Sequence, residues 1–316
     1  MLRFLATRVL LLLVGLLVAA ALIFATLRIL PGDVAQVIGG TQASAAQVAR
    51  IREQLGLDQP VLAQFLGWLG GLLHLDLGRS LVTGTPVASE LGQKLEVTLP
   101  LAGLSLVFGL GLGIPLGVVS AALHRRVGGF VISALAQLVA AVPVVFAGVL
   151  LILLLGSWLG LLPVQGFPQS GWAEPGRAFA SLVLPALTIG VVEGAVVLRF
   201  TRSATLDAIG QDHVRTAAAK GMTLTRALVT HGLPVVMLSV LSVVGLEIAA
   251  LLVGAVIVET LFQLPGVGRM LVGDVANRDL VKVQSELLVL TALILVVGTL
   301  VDVLHRVIDP RQREAA

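Results

Sequence analysis

The sequence predicts an all-α membrane protein with about six transmembrane helices. Long apolar runs, a low share of charge, and basic residues gathered between the runs carry that prediction. Charged residues make up 12% of the chain and hydrophobic residues 57%. Soluble domains usually carry about 25% charged residues. A large soluble core does not account for the difference, whereas membrane-embedded surface does. The net charge of +3 is small. It informs through its distribution and gives no sign of a nucleic-acid partner. There is no cysteine, which excludes disulfides, thiolate nucleophiles and Cys-zinc sites.

A helix crossing the hydrocarbon needs about 20 mostly apolar residues. Residues 9–27 carry no charge and follow Arg3 and Arg8. The run exceeds the roughly 7–15 residues of a signal-peptide core, so an uncleaved first span is expected. Residues 30–96 form a polar insert. Within it, residues 45–55 read as an amphipathic helix, with Ser44 as N-cap and Gly56 as stop. Residues 60–73 read as a second helix, with Phe65, Trp68 and Leu69 apolar. Both helices suit packing at the membrane, or docking of a protein that delivers substrate. The second span falls in 97–123, with Pro100 and Pro115 in or near it. The third lies in 129–155, the fourth in 178–198, the fifth in 235–258 and the sixth in 287–304. Proline and glycine are tolerated in such spans because neighbouring helices satisfy the freed backbone groups. Residues 162–176 are a Pro/Gly-rich loop, with Trp158 and Trp172 as candidate interfacial anchors. The organisation is then a first span at 1–29, an extracytoplasmic insert at 30–96 and a core at 97–316. A polar loop at 201–234 interrupts the core.

Six spans place both termini on one side. Arg3 and Arg8 precede the first span, and Arg125 and Arg126 fill the connection between the second and third. Arg199, Arg202, Arg215, Lys220 and Arg226 lie between the fourth and fifth; Arg306, Arg311 and Arg313 follow the sixth. The positive-inside rule puts these segments, and so both termini, in the cytoplasm of a plasma-membrane protein.

The polar loop carries RTAAAKG, from Arg215 through Thr216, Ala217, Ala218, Ala219 and Lys220 to Gly221. Nine residues later comes HGLP, with His231, Leu233 and Pro234. Residues 205–220 read as a short helix capped by Asp207 or Asp212 and ended by a left-handed Gly221. Pro234 fits a turn that opens the fifth span. Alanines let another surface approach the backbone, and Arg215 and Lys220 pair with acids or with lipid phosphates. Two readings follow: docking of a soluble partner, or a helix lying on lipid.

The order of motifs resembles the dipeptide, oligopeptide and nickel permeases of ATP-binding-cassette (ABC) importers, in the first of their two permease subunits. RTAAAKG, His231 and Leu233 match that family's loop. Other matches to the family lie far from the loop: ILPGD at 29–33, LGLDQP at 55–60, DLGRS at 76–80, VETLFQLPGVGR at 258–269, NRD at 277–279 and DPR at 309–311. One departure stands out: Pro234-Val235-Val236 follows Leu233, where the subfamily continues Arg-Asn-Ala. The resemblance implies an ABC importer type I permease-like bundle forming half of a translocation pore for peptides or related substrates. It implies four kinds of neighbour: a paralogous second permease, two ABC ATPase subunits, an extracytoplasmic substrate-binding protein and the lipid bilayer. Residues 212–234 would couple mechanically to the ATPases, which would hold ATP and magnesium.

The chain itself shows no catalytic pattern, so no enzymatic activity of its own is expected. No Gly-x-x-x-x-Gly-Lys-Ser/Thr phosphate loop occurs, nor a nucleophile elbow or His-Glu-x-x-His. His74, His124, His213, His231 and His305 are scattered without metal-ligand spacing. Glu193 and Glu247 fall inside the fourth and fifth spans, where an ionisable group is costly and faces a cavity or a partner. They fit a translocation path or gate that meets a peptide's ammonium, a polar contact between helices, or the proton relay of a secondary carrier. Glu259, Phe262, Pro265, Gly266 and Gly268 make a turn-rich outer segment. It reads as a gate or docking element, or as a re-entrant packing loop.

Overall fold

The structure is a computed structural model that describes residues 2–29, 34–39, 43–54 and 56–308. Residues 30–33 of ILPGD, Leu55 of LGLDQP, the DPR motif, Arg311 and Arg313 lie outside the described residues. Among the described residues, regular structure is helical, with one isolated bridge between Arg79 and Pro86.

Helix α1 (Leu2–Ile29) starts ahead of the uncharged run and takes in Arg3 and Arg8. Arginine is a good helix former whose long stem keeps its charge at an interface. A short α2 (Val34–Gly39) precedes α3 (Ala45–Gln54). At the start of α3 the Ser44 N–H donates to Gln47 Oε1 at 2.8 Å, and the Gln47 N–H donates to Ser44 Oγ at 3.3 Å. That reciprocal pair is a capping box. Gly56 follows at φ 63°. Helix α4 (Val61–Leu73) stacks Phe65 and Trp68 on Phe24 of α1, with ring centroids 5.2 and 6.3 Å apart. Its aromatic face therefore packs within the chain.

Helix α5 (Val87–Ala122) begins at Val87 rather than near 97 and carries Pro100 and Pro115 inside it. The predicted third span is sharply bent. Helix α6 (Val127–Ala141) and α7 (Val144–Leu151), with a π-helical extension at Ile152–Trp158, meet at 106°. The cause is Pro143. Its ring disfavours helical geometry at Val142, which is extended at φ −80°, ψ 125°. Pro143 then caps α7.

Helix α8 (Pro175–Gly210) runs past the expected end of the fourth span, through Arg199 and Arg202 to Gly210. Asp207 therefore lies inside α8 and caps nothing. Helix α9 (Asp212–Ala219) follows, with Gln211 at its N-cap and Asp212 in its first turn. Then come α10 (Leu224–Ala227), a π-helical turn at Leu228–Gly232 and α11 (Leu233–Leu261). Pro234 occupies the first turn of α11, where its missing N–H has no partner to lose. No turn separates it from the preceding helical residues. Helices α12 (Val267–Ala276) and α13 (Leu280–Ile308) complete the chain. Among the described residues five helices are long and apolar enough to cross a membrane, or six when the bent α6–α7 pair is counted as one span.

The chain divides into two compact units. The first comprises Met1–Leu5, Thr98–Leu264 and Val297–Ala316. At its centre α8 packs on α11, with Val197, Ala208, Val236, Val240, Val244 and Ile248 buried between them. Glycines bring α5 against α8. A Cβ on Gly113 would lie 2.6 Å from the Gly194 carbonyl, and one on Gly190 would lie 2.6 Å from Phe108 Cβ. Gly109, Gly113 and Gly117 repeat every four residues, the pattern by which membrane helices approach backbone to backbone.

The second unit comprises Ala6–Val97 and Pro265–Val296. Leu91, Val267 and Leu290 form its apolar centre. Beside that apolar packing lies a buried polar network, described below.

Candidate functional site

The short helix α9 and its flanks are built by local sequence chemistry. Lys220 caps α9, and Gly221 follows at φ 95°. The Gly221 N–H donates to the Ala218 carbonyl at 3.0 Å, and the Met222 N–H to the Ala217 carbonyl at 3.3 Å. These two bonds make a Schellman motif, which requires a left-handed residue at the glycine. Thr223 starts the next helix by accepting the Arg226 N–H on its Oγ1 at 3.3 Å.

Val214 and Ala217 face inward and are buried against Ala227, with Ala218 and Met222 alongside. Ala217 thus serves internal packing and is not available to a second surface. Arg215, Thr216, Ala219, Lys220 and Gly221 are exposed, as are His231 and Pro234; Leu233 is half-buried. The outer face of the element is therefore small, basic and polar.

Gly232 is a residue that motif reading passed over. A Cβ there would stand 2.8 Å from Leu228 Cδ1 and 3.4 Å from Val214 Cγ2. The bare glycine lets the π-helical turn close onto α9. Leu228 is itself buried with Val197 of α8 and Val236 of α11. A displacement of α9 therefore reaches α8 and α11 through packed side chains.

Glu193 of α8 and Glu247 of α11 are both half-buried, and their side chains meet. The other proposed path residues sit differently. Glu259 lies in the last turn of α11, is 0% exposed, and accepts the Thr98 hydroxyl at 2.6 Å. Phe262 is also 0% exposed, and its carbonyl accepts the Gly166 N–H at 2.9 Å. That bond pins the 162–176 loop. These residues belong to the first unit, and Pro265, Gly266 and Gly268 to the second. Gly266 caps α12, while Gly268 is buried inside its first turn and belongs to no loop. Glu259, Phe262, Gly266 and Gly268 are packed residues that present no surface in this chain.

Two distant motifs come together in the second unit. Ser80 of DLGRS donates to Asp279 of NRD, with Oγ and Oδ2 2.5 Å apart. The Leu81 N–H donates to Asp279 Oδ1 at 3.1 Å. Ser285 donates to the Leu77 carbonyl at 2.7 Å. Gly78, at φ 82°, sits where a Cβ would meet Val281 Cγ1 at 2.8 Å. Nearby, Lys282 Nζ lies 2.6 Å from Glu90 Oε2 and 3.0 Å from Asp274 Oδ2, and Glu286 is fully buried. Sequence reading does not link Ser80 to Asp279 or Leu77 to Ser285, because these partners lie some 200 positions apart.

Among the described residues no cluster of His, Cys, Asp or Glu is arranged to hold a metal.

Residues 113–314 match the family model of the binding-protein-dependent transport system inner membrane component, and residues 1–102 match that of its N-terminal region. The chain is 35% identical over 315 residues to the dipeptide transport system permease protein DppB of Escherichia coli strain K12. That alignment covers 92% of this chain and 93% of the relative. It is 38% identical over 296 residues to a probable peptide ABC transporter permease, y4tP, of Sinorhizobium fredii, covering 92% and 93%. A solved amino acid ABC transporter chain aligns with 72% of this chain and 94% of its own length, at 17% identity and a TM-score of 0.47.

Proposed function

The chain belongs to the inner membrane components of binding-protein-dependent transport systems, and we propose that it is the peptide-class permease subunit of an ATP-driven importer. Its relatives named for dipeptide and peptide transport, each matched over nine-tenths of its length, support that substrate class. It forms half of a pore with a paralogous permease. Two ATPase subunits, carrying ATP and magnesium, dock on the cytoplasmic side, to which the positive-inside rule assigns the basic segments and both termini. A substrate-binding protein delivers from outside.

The observation that carries the coupling role is the build of α9. Its inner face is buried on the chain and its outer face of Arg215, Thr216, Ala219 and Lys220 is exposed. A rigid, cationic, small-residue knob suits insertion into an acidic cleft on an ATPase. Closing of the ATPases pushes α9, and the packing of Val214, Gly232 and Leu228 carries the push to α8 and α11. Elements that shift as rigid bodies turn small local displacements into large ones. Purification of the chain from its native membrane in mild detergent, with mass spectrometry of what accompanies it, tests the assembly. Two phosphate-loop ATPases and a second six-span permease are expected. Recovery of the chain alone, with proton-driven transport in liposomes, would sink this reading.

Glu193 and Glu247 are assigned to the path, where their paired carboxyls receive a peptide's ammonium group. A hydrogen bond to a charged group contributes about 1.5–3 kcal/mol. Glu193→Gln with Glu247→Gln is therefore expected to lower uptake by about tenfold or more. Unchanged uptake and unchanged substrate choice in both single variants and the double would remove these residues from the path.

A further inference from the structure

We propose that the first compact unit carries a binding site for an anionic glycerophospholipid, in a groove between α5, α6 and α8. The groove has a volume of about 280 Å³. Leu112 and Leu116 of α5, Leu135 and Val139 of α6, and Ala195 and Leu198 of α8 line it. The lining is apolar throughout, and Leu112, Leu116 and Leu135 are 39%, 40% and 56% exposed. A slot of this kind, open on one side, accepts an acyl chain.

One end of the groove is basic. Leu116, Ile132 and Leu198 mark that end, because α5 turns into α6 through the tight residues 123–126. Ser120 donates across this turn to the Gly129 carbonyl at 3.0 Å. Arg125 and Arg126 sit in the turn and are exposed. On α8, Arg202 follows Leu198 by four residues, which places it on the same helix face one turn farther on. Its Nε is buried without a hydrogen-bond partner. No acidic residue occurs in the sequence between Glu96 and Glu174, so neither α5 beyond Glu96 nor α6 supplies a carboxylate to these cations. Apolar walls leading to cations that α5 and α6 leave without a carboxylate match a lipid whose chain fills the slot and whose phosphate meets the arginines. Basic pockets between membrane helices recognise anionic headgroups in this way. The inference stands on this unit's own geometry and does not depend on the substrate or on the ATPase assignment.

The absence of cysteine makes Leu138→Cys, beside Val139 and 66% exposed, a unique point for a bimane label. The labelled chain, purified with its native partners, is placed in phosphatidylcholine vesicles containing brominated phosphatidylglycerol or brominated phosphatidylcholine. Brominated phosphatidylglycerol is expected to quench at a markedly lower mole fraction. Arg125→Gln, Arg126→Gln and Arg202→Gln together should erase the preference, with roughly a fivefold loss for each arginine. Native mass spectrometry of the unlabelled protein should show phosphatidylglycerol retained by the parent and lost from the triple variant. Equal quenching by both lipids would overturn the proposal in favour of bulk lipid. Quenching by neither would overturn it in favour of a protein helix seated in the groove. Undiminished retention by the triple variant would also overturn it.

Discussion

Gly221→Val is expected to leave the protein inserted in the membrane while cutting substrate uptake per ATP hydrolysed by about tenfold. Gly221 holds φ 95° and nothing lies within 4 Å of where its Cβ would be. A side chain there meets no neighbour; it meets only its own backbone. A left-handed conformation costs an L-residue about 1–2 kcal/mol, and more when it is β-branched. The chain relieves that strain by leaving the conformation, which breaks the bonds from Gly221 to Ala218 and from Met222 to Ala217. Helix α9 then frays at the end that carries Ala219 and Lys220. The spans are untouched, so insertion persists. A shift of about 1.4 kcal/mol in a coupling step is tenfold. Gly221→Asn is the matched control, because asparagine tolerates the left-handed region, and it should keep most coupling. Uptake and ATPase rate are measured together in proteoliposomes. Normal stoichiometry with valine at 221 would take the coupling role away from α9.

The contrast with Gly232 shows what sequence could and could not reveal about this element. Gly221 was legible. A glycine after three alanines and a lysine signals a Schellman stop, and its positive φ follows. The Ser44 cap was legible for the same reason, since capping chemistry is local. Gly232 carries no such signal. Its necessity comes from Val214 and Leu228, whose approach depends on the π-helical turn at 228–232. Nor did the sequence show that Ala217 turns inward while Ala219 turns outward, because both are small and apolar.

The spans divided along the same line. Apolar runs located the long helices, yet α8 runs on to Gly210 because Arg199, Arg202 and Asp207 are compatible with helix once beyond the apolar core. The 106° break at Pro143 lies inside a run that hydropathy reads as continuous. Its cause is conformational, and hydropathy is blind to it. At 259–268 the sequence left a gate or docking element and a re-entrant packing loop both open, because the groups that hold Glu259 and Phe262 are Thr98 and Gly166, far along the chain.

Lys282→Met is expected to produce the largest loss of stability of any single substitution considered. Lys282 is 5% exposed and forms ion pairs with Glu90 and Asp274. Three separate segments meet there: the start of α5, the last turn of α12 and the first turn of α13. The side chains of Glu286 and Asp274 lie close enough to interact directly, with Glu286 at 0% exposure. Methionine has similar length and fills the space, so no large cavity forms. The damage is electrostatic, because removing one partner of a buried ion pair leaves an uncompensated charge at a cost of about 3–5 kcal/mol. For a chain of this size that corresponds to a drop in melting temperature on the order of 10 °C. Neutralising a stranded partner should return part of the loss. Lys282→Met with Glu90→Gln is thus expected to melt above Lys282→Met alone, a non-additive result diagnostic of direct coupling. The readout is thermal unfolding of the purified protein in detergent, followed by the exposure of buried groups. Equal melting of the Lys282→Met variant and the parent would show that the acids compensate one another without the lysine. The network would then be a passive feature of packing. A large loss with partial rescue would identify Lys282 as the cation that holds α5, α12 and α13 together within the second unit. It would also explain why the DLGRS and NRD segments, joined by Ser80 and Asp279, stay in register there.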